Sequence, residues 1–246
     1  MPPTARPFHS SVVLALAALG TACAPTLYAP TQLPTPMLRE AGELQATLSN
    51  SSLEAAYAVS PQVVIHAAGF LRDGNDLANQ RTAGAWLGEA GAGVFGNLLH
   101  RDVRWTLLAG AGGGRTWWEV TGDDPREYAA SAVRGFLQPN IGWVSPYFEL
   151  VGSARVSGVR YLSFDASGFS PDQAAQDGLT AANVTGPLWL FLEPGVTAKV
   201  GYRWVKVFAQ YQWTFKMSEA PLPYQSSGLT IGLALDLAKW HGDWSF

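Results

Sequence analysis

The feature that most constrains this chain is an alternation of apolar with polar or small residues that recurs along many segments. In residues 205–216, Val, Val, Ala, Tyr, Trp and Phe alternate with Lys, Phe, Gln, Gln, Thr and Lys. Residues 229–238 repeat the pattern with Leu and Ile against Thr, Gly, Ala and Asp. Successive side chains of a β-strand point to opposite faces, so a period of two predicts strands with one apolar face.

Ten segments carry this pattern, and most reach the length of about 9–11 residues that a tilted membrane strand needs. They lie near 41–49, 52–59, 63–72, 84–98, 103–120, 130–144, 147–165, 187–201, 204–217 and 227–239. The second segment is short, so eight or twelve strands remain alternatives to ten.

The connections between these segments alternate in length. Short connections lie at residues 60–62, 99–102, 145–146 and 202–203, and long polar ones at 73–83, 121–129, 166–186 and 218–226. Short turns on one side and long loops on the other are typical of outer-membrane barrels, in which the short side is periplasmic. With ten strands, both termini are expected on the periplasmic side.

The N-terminus has the pattern of an export signal. Arg6 and His9 precede an apolar run over residues 11–20, which is too short for a stable membrane helix. Cys23 is the only cysteine, and with the preceding Leu-Gly-Thr-Ala it resembles the acylated cysteine of a bacterial lipobox. We predict a signal peptide over 1–22 and a lipid such as palmitate on Cys23, with ordinary cleavage and a free thiol as the alternative.

Residues 23–40 are rich in proline, a composition that disfavours both helix and sheet. We therefore expect a lipidated, extended periplasmic tether over 23–40, with the barrel occupying 41–246.

The composition favours a membrane barrel over a helical membrane protein. Charged residues make up 14% of the chain and hydrophobic residues 48%, yet no apolar stretch after residue 23 approaches the roughly 20 residues of a membrane helix. We predict an all-β protein, a closed antiparallel up-and-down transmembrane β-barrel of about ten strands in the lipid bilayer of a bacterial outer membrane. The net charge of −3 implies no nucleic-acid partner.

Two features complicate this prediction. Pro139 and Pro194 fall inside expected strands, where each removes a ladder hydrogen bond, so we expect a β-bulge at each. The C-terminal Phe246, with Trp240 and Trp244 before it, resembles the terminal signal that the barrel-insertion machinery reads, which makes that machinery an expected partner.

Five segments, at 23–30, 38–45, 55–59, 136–142 and 191–194, resemble a known family. They are similar to the lipobox-bearing outer-membrane β-barrels of unassigned function common in Bacteroidetes-like bacteria, and Phe-Leu-Gln-Pro-Asn-Ile-Gly at 136–142 is the most specific. The resemblance implies a barrel, a lipid anchor and an outer-membrane location, and it implies no activity.

The strand positions opposite the apolar face collect six acids, five bases and one histidine. They are Glu43, Glu54, Glu89, Glu149, Glu193, Asp236, Arg104, Arg134, Arg155, Lys199, Lys206 and His66. Unpaired charges in a narrow tube would cost several kcal/mol each. We therefore expect a lumenal ion-pair network that fills the barrel, with a charged pore or ligand site as the alternative.

The residues that could carry chemistry favour no enzyme. Catalysis needs a nucleophile and an oriented base, and His66 is the only histidine expected in the lumen. One cysteine and four scattered histidines predict neither a metal site nor a cofactor.

We expect a non-enzymatic, lipid-anchored barrel with an envelope-structural or surface-interaction role, acting through a loop partner that the sequence does not identify. The alternatives are a narrow channel for small solutes and, less favoured, a lipid- or peptide-processing enzyme at the outer rim.

Overall fold

A computed structural model describes residues 26–76, 81–98, 100–121, 125–176, 178–202 and 204–237. The predicted signal peptide, the predicted acylation site at Cys23 and the aromatic tail at 240–246 lie outside the described residues.

The alternating segments form strands, because a strand is the conformation that separates their apolar and polar side chains onto two faces. The strands are β1 (Leu44–Ser49), β2 (Ser52–Ala58), β3 (Val63–Asp76), β4 (Arg81–Leu98), β5 (His100–Val120), β6 (Arg126–Val144), β7 (Phe148–Ser167), β8 (Trp189–Tyr202), β9 (Val205–Trp213), β10 (Phe215–Lys216) and β11 (Ser227–Asp236).

Two short helices, α1 (Pro171–Gln176) and α2 (Ala181–Thr185), lie in the loop between β7 and β8. The hydroxyl of Thr180 caps α2 by accepting a hydrogen bond from the Asn183 N–H at 3.3 Å. No helix in the described part of the chain is long and apolar enough to cross a membrane.

The strands form one antiparallel sheet that closes on itself. Strands adjacent in the chain pair with each other, and β1 pairs with β11 from Gln45 opposite Asp236 to Ser49 opposite Gly232. β9 and β10 are a single strand of the wall interrupted at Thr214, since both pair with β8. The predicted closed, ten-strand antiparallel barrel is confirmed.

The two ends of the barrel differ in their connections. The loops β3–β4, β5–β6, β7–β8 and β10–β11 share one end with the tight β1–β2 turn, and we call it the loop end. The connections β2–β3, β4–β5, β6–β7 and β8–β9 share the other end, which we call the turn end. The two longest connections, β7–β8 and β10–β11, lie at the loop end as expected. The loops expected over 73–83 and 121–129 are shorter than expected, because β3 extends to Asp76, β4 begins at Arg81, β5 extends to Val120 and β6 begins at Arg126.

The outer surface of the barrel is apolar and the inner surface is polar. Val207 is 54% exposed, whereas its neighbour Lys206 is 4% exposed. Large hydrophobic side chains are exposed on every strand of the wall. Burial in this fold therefore selects the polar face, the reverse of a water-soluble β-sandwich.

The strands stay in register at both internal prolines, so the predicted bulges there are wrong. Pro139 pairs with Leu107 on β5, and the ladder between β6 and β7 has no pair at Pro139. Pro194 pairs with Ala154 on β7, and on its other side the register puts it opposite Trp213, where the ladder has no pair next to the interruption at Thr214. Each missing N–H coincides with a gap in one ladder, so no extra residue is needed. The register shifts instead at Asn97/Leu98 and Ser131/Ala132.

The proline-rich residues 26–39, which we call the lumenal segment, run through the inside of the barrel as far as Leu38, and Arg39 is exposed at the turn end. Leu27 is 1% and Leu38 is 2% exposed. The Leu27 N–H donates to the Pro223 carbonyl at 2.9 Å in the β10–β11 loop, and Leu38 packs with Val64 at the start of β3. The segment thus runs through the lumen from the loop end to the turn end.

The prediction of a periplasmic tether over 23–40 is wrong for the described residues. Proline removes N–H donors and holds the chain extended. Those properties suit a narrow polar tube as well as solvent, so proline density alone did not distinguish the two locations.

The described chain begins and ends at opposite ends of the barrel. Leu27, next to the first described residue, lies at the loop end, whereas the Leu237 N–H donates to the Leu44 carbonyl at 2.8 Å at the turn end. Both termini were expected on the turn side, whereas the described chain begins at the loop end, because passage through the lumen adds one crossing to the ten strands. The N-terminus itself lies outside the described residues.

Candidate functional site

Side chains of the wall hydrogen-bond the backbone of the lumenal segment. Gln210 makes a paired contact with Leu33: its Oε1 accepts from the Leu33 N–H at 2.8 Å and its Nε2 donates to the Leu33 carbonyl at 2.9 Å. Other wall residues donate to the neighbouring carbonyls, Gln212 to Thr31 (3.1 Å), Gln138 to Pro34 (2.5 Å), Lys199 to Thr35 (2.9 Å), Thr106 to Pro36 (2.8 Å) and Arg104 to Met37 (3.0 Å). The wall thus binds an extended backbone along most of the lumen.

Proline suits this arrangement for a physical reason. Each proline presents a carbonyl but no N–H, and the lumenal side chains that meet the segment are mostly donors. Pro30, Pro34 and Pro36 therefore reduce the number of backbone donors that the lumen must satisfy. Their fixed φ also lowers the conformational entropy lost when the segment is ordered.

One ionic cluster, which we call the Glu89 cluster, contains Glu89, Arg134 and Arg155. Arg134 hydrogen-bonds one Glu89 oxygen, and Arg155 Nη2 lies 3.3 Å from the other. The hydroxyl of Thr31 in the lumenal segment accepts from Arg134 at 2.6 Å and from Arg155 at 3.0 Å. Two guanidinium groups thus share one carboxylate and one hydroxyl of the lumenal segment.

A second ionic cluster, the Glu149 cluster, lies nearer the turn end and repeats the two-to-one ratio. Lys199 Nζ is 3.1 Å from Glu149 Oε2, and Lys206 hydrogen-bonds the other carboxylate oxygen. Lys199 also donates to the Thr35 carbonyl. Both clusters therefore use lumenal-segment oxygens to satisfy cationic donors that outnumber the carboxylates.

Removing the lumenal segment would leave some of these cationic donors without an acceptor. A buried charged donor that loses its acceptor costs several kcal/mol, well above the gain of about 1 kcal/mol from an ordinary hydrogen bond. Six of the twelve residues expected in a lumenal ion-pair network thus form two clusters, and the lumenal segment completes both.

Two further predicted acids bind hydroxyl groups. Glu193 accepts from the Tyr28 hydroxyl and the Ser157 hydroxyl, both at 2.8 Å. Glu54 accepts from the Thr47 hydroxyl at 3.2 Å. Among the described residues neither acid is in a salt bridge, so Tyr28 of the lumenal segment takes the place of a cation for Glu193.

Glu43 and Asp236 form an acidic pair at the turn end, where the lumenal segment turns into β1. The Glu43 carboxylate accepts from the backbone N–H groups of Arg39 and Glu40. Burial, and second the negative charge of Asp236, raise the pKa of Glu43 to about 7. The connection between the lumenal segment and the wall thus contains a carboxyl group that titrates near neutral pH.

His66 is buried in the lumen, and neither ring nitrogen has a hydrogen-bond partner among the described residues. Its ring lies 5.7 Å from the Phe136 ring, in a tilted arrangement. A general base needs a group that orients it and a reacting group within reach. The geometry supplies neither to His66.

Apolar clusters close both ends of the lumen. At the loop end, Leu27 and Tyr28 pack with loop residues Leu179, Val184 and Leu222 and with the inward aromatic residues Trp118, Tyr128, Tyr161, Trp189 and Phe191. At the turn end, Leu38 packs with Ala56, Ala58, Val64, Phe95, Leu108 and Phe136. The β7–β8 loop therefore contributes to the apolar cluster at the loop end, and the lumenal segment fills the space between the two clusters.

The space left in the lumen is small. A cavity between the lumenal segment and β3–β7 has a volume of about 40 Å³, and one beside the Glu149 cluster has about 20 Å³. Such volumes hold one or two water molecules. These two cavities therefore have room for water molecules only.

The structure places the predicted lumenal residues where sequence parity put them. Glu43, Glu54, His66, Glu89, Arg104, Arg134, Glu149, Arg155, Glu193, Lys199 and Lys206 are buried, and Asp236 is partly buried.

No protein-family model matches the chain, and no curated protein has detectable sequence similarity to it.

Sequence reasoning missed the lumenal segment, although two signals pointed to it. Leu27, Tyr28, Leu33, Met37 and Leu38 are large apolar residues that a solvated tether would not contain. The inward face also holds more amide groups than its own ion pairs can use, since Gln138, Asn140, Gln210 and Gln212 all point inward.

The contact at Gly195 gives a test of the lumenal segment. A Cβ at this position would lie 2.6 Å from Leu33 Cδ1 and 3.2 Å from the Tyr211 carbonyl. Gly195→Val should therefore lower the free energy of unfolding by about 1–3 kcal/mol, measured by urea unfolding in detergent micelles. The matched control is Gly158→Val on the outward face, where a Cβ meets only two leucine side chains at 3.7 Å. Equal effects of the two changes would contradict the placement of Leu33.

The raised pKa of Glu43 predicts a pH dependence of stability. Folding favours the protonated form, so the contribution is fully present below the unfolded pKa of about 4.5 and is lost as pH rises through about 7. Relative to Glu43→Gln, the wild type should lose up to about 3 kcal/mol of unfolding free energy between pH 4.5 and 8. The measurement is urea unfolding across this range, and a constant difference between the two proteins would refute the assignment.

Proposed function

We propose that this chain is a bacterial outer-membrane β-barrel whose lumen is closed by its own N-terminal segment and whose role is structural or interactive. The observation that carries the proposal is the filled lumen inside an apolar outer wall. In this role the barrel anchors the chain in the bilayer, and its loops at the loop end meet partners.

The outer wall supports the bilayer as the surroundings of the barrel. Its exposed Leu, Val, Ile and aromatic side chains would be costly in water, at about 25 cal/mol per Å² of apolar surface. Aromatic residues lie outward near both ends, with Trp143 and Tyr147 at the turn end and Trp86 and Trp213 nearer the loop end. Membrane barrels carry such girdles at the two interfaces.

The two rival functions receive less support. A channel requires a continuous polar path, whereas the lumenal segment and two apolar caps occupy the lumen. An enzyme requires an oriented base, and His66 has no hydrogen-bond partner among the described residues. A structural or surface-interaction role needs neither feature.

The lumenal segment also bears on the proposed lipid anchor. Cys23 precedes Thr26 by three residues, which span at most about 10 Å. Because the segment leaves the lumen at the loop end, acylation of Cys23 would place the lipid in the leaflet beside the loops. This is the opposite leaflet from the one expected for a tether below the barrel.

Heat-modifiable migration on SDS gels tests the barrel in its membrane form. The unheated protein should migrate faster than the boiled protein, and Cys23→Ser should leave this shift unchanged, because the wall and not the lipid holds the protein in the bilayer. Release of Cys23→Ser into the soluble fraction without a shift would overturn the proposal.

Planar-bilayer recording tests the closed lumen. The wild type should show no stable conductance steps, whereas a variant lacking residues 27–37 should conduct, because its lumen loses the groups that fill it. Retained heat-modifiability of the deletion variant is the folding control. Steady conductance by the wild type would favour the channel.

An epitope tag between Pro25 and Thr26 tests the direction of the lumenal segment. If the loop end faces the cell exterior, the tag should bind antibody on intact cells, whereas a tag at Tyr147 in the β6–β7 turn should require permeabilised cells. Access to the Tyr147 tag alone in intact cells would contradict this orientation.

A further inference from the structure

Two arginines on the outer wall form the strongest feature that the proposed function does not use. Arg115 on β5 and Arg160 on β7 are exposed and outward-facing. Among the described residues neither guanidinium has a hydrogen-bond or ion-pair partner. From Val103 on β5 and Phe148 on β7 up to these arginines, the outward positions of both strands carry no other charge.

The sheet register places the two arginines near each other. Arg115 pairs with Ser131 on β6, and Arg160 pairs with Val133, two residues along the same strand. Strands two apart are about 10 Å apart, so with this offset the two Cα atoms are separated by about 12 Å. Two extended arginine side chains can reach a common phosphate group across this distance.

Both arginines lie at the height of a headgroup layer. Val103 and Phe148 lie near the turn end. Arg115 follows Val103 by twelve residues, and Arg160 follows Phe148 by twelve residues, which is a path of about 40 Å along each strand. With a strand tilt of about 40°, the rise is about 30 Å, just above an apolar band about 25 Å tall. Trp86 pairs directly with Arg115, as expected at an interface.

Small residues cover much of the wall below the arginines. The outward positions of β4 and β5 there are Gly88, Ala90, Ala92, Ala109, Ala111 and Gly113, and Gly135 and Gly158 on β6 and β7 lie between the exposed side chains of Val133, Leu137 and Val156. A Cβ at Gly88 would meet nothing within 4 Å, and one at Gly135 only a carbonyl at 4.0 Å. This surface leaves room for acyl chains to lie against the backbone.

We propose that this sector of β4–β7 binds a phosphorylated glycolipid of the leaflet beside the loops, with its phosphate on Arg115 and Arg160 and its acyl chains on the small-residue wall. Arginine binds phosphate through paired, charge-assisted hydrogen bonds. The hydroxyls of Ser131 and Ser163, which pair across β6 and β7, add donors at the same level.

The acidic residues beyond the arginines fit a sugar headgroup. Glu119, Glu127 and Asp165 lie farther toward the loop end on the same three strands and are exposed. Carboxylates there can accept hydrogen bonds from sugar hydroxyls above the phosphate.

A second copy of the chain fits this surface less well. A two-fold symmetric interface brings the same patch of both subunits together. The arginine pair of one subunit would then approach that of the other, and like charges in a poorly solvated interface are unfavourable.

The test rests on the proposed function, since it uses the barrel in detergent micelles. Diphosphoryl lipid A is titrated into the wild type, and the bound fraction is measured by native mass spectrometry. Arg115→Gln combined with Arg160→Gln should weaken binding at least about tenfold, the loss expected for contacts to a charged group. Arg39→Gln, which removes an exposed charge at the turn end, is the matched control and should bind like the wild type.

The remaining outcomes separate the alternatives. Lipid A without phosphate should bind the wild type about as weakly as diphosphoryl lipid A binds the double variant. Equal binding by the double variant and the wild type, no binding by the wild type, or a lipid-free dimer that Gly135→Leu disrupts would each overturn the lipid site. Failure of the wild type to show heat-modifiable migration would instead overturn the membrane barrel itself, and all variants are first checked for that migration.

Discussion

Satisfaction of buried polar groups inside a narrow tube is the constraint on which the rest of this structure depends. Among the residues that the structure describes, the wall supplies Arg134, Arg155, Lys199 and Lys206 but only two carboxylates in direct contact with them. The lumenal segment supplies the missing acceptors through Thr31 and the Thr35 carbonyl. Neither the wall nor the segment satisfies its polar groups alone, so the ten strands and residues 26–39 form one folding unit.

The same constraint suggests an order of assembly. The contact between Leu33 and Gln210 joins residues 177 positions apart in the chain, whereas most wall contacts join consecutive strands. Contacts of large sequence separation carry a large loop-closure cost and form late unless the intervening chain is already ordered. The lumenal segment is therefore expected to become ordered as the barrel closes between β1 and β11.

Much of the wall was predictable from sequence, and the contents of the lumen were not. Alternation fixed which side of β9 and β11 faces outward, because a one-residue change of register would invert both faces. It also placed Glu89, Glu149 and Arg155 inside. The prolines led to two wrong predictions, a β-bulge in the strands and a tether outside the barrel. Pro194 required no bulge because its missing N–H falls at a gap that only the pairing of three strands creates. The proline-rich segment entered the lumen because its carbonyls meet donors from strands remote in sequence, which no local pattern encodes.

Passage of the chain through its own barrel puts the two ends of the described chain at opposite ends of the barrel. Ten strands alone return the chain to the end at which it began, whereas one lumenal crossing places Leu27 at the loop end and Leu237 at the turn end. In a membrane, Leu27 and Leu237 would therefore lie near opposite faces of the bilayer. The segment achieves this without an open pore, because Gln210, Gln138 and Arg104 bind its backbone in the lumen, where water would otherwise have to do so. The hydrogen bonds that hold the lumenal segment in place thus both fill the lumen and fix the direction in which the chain passes through it.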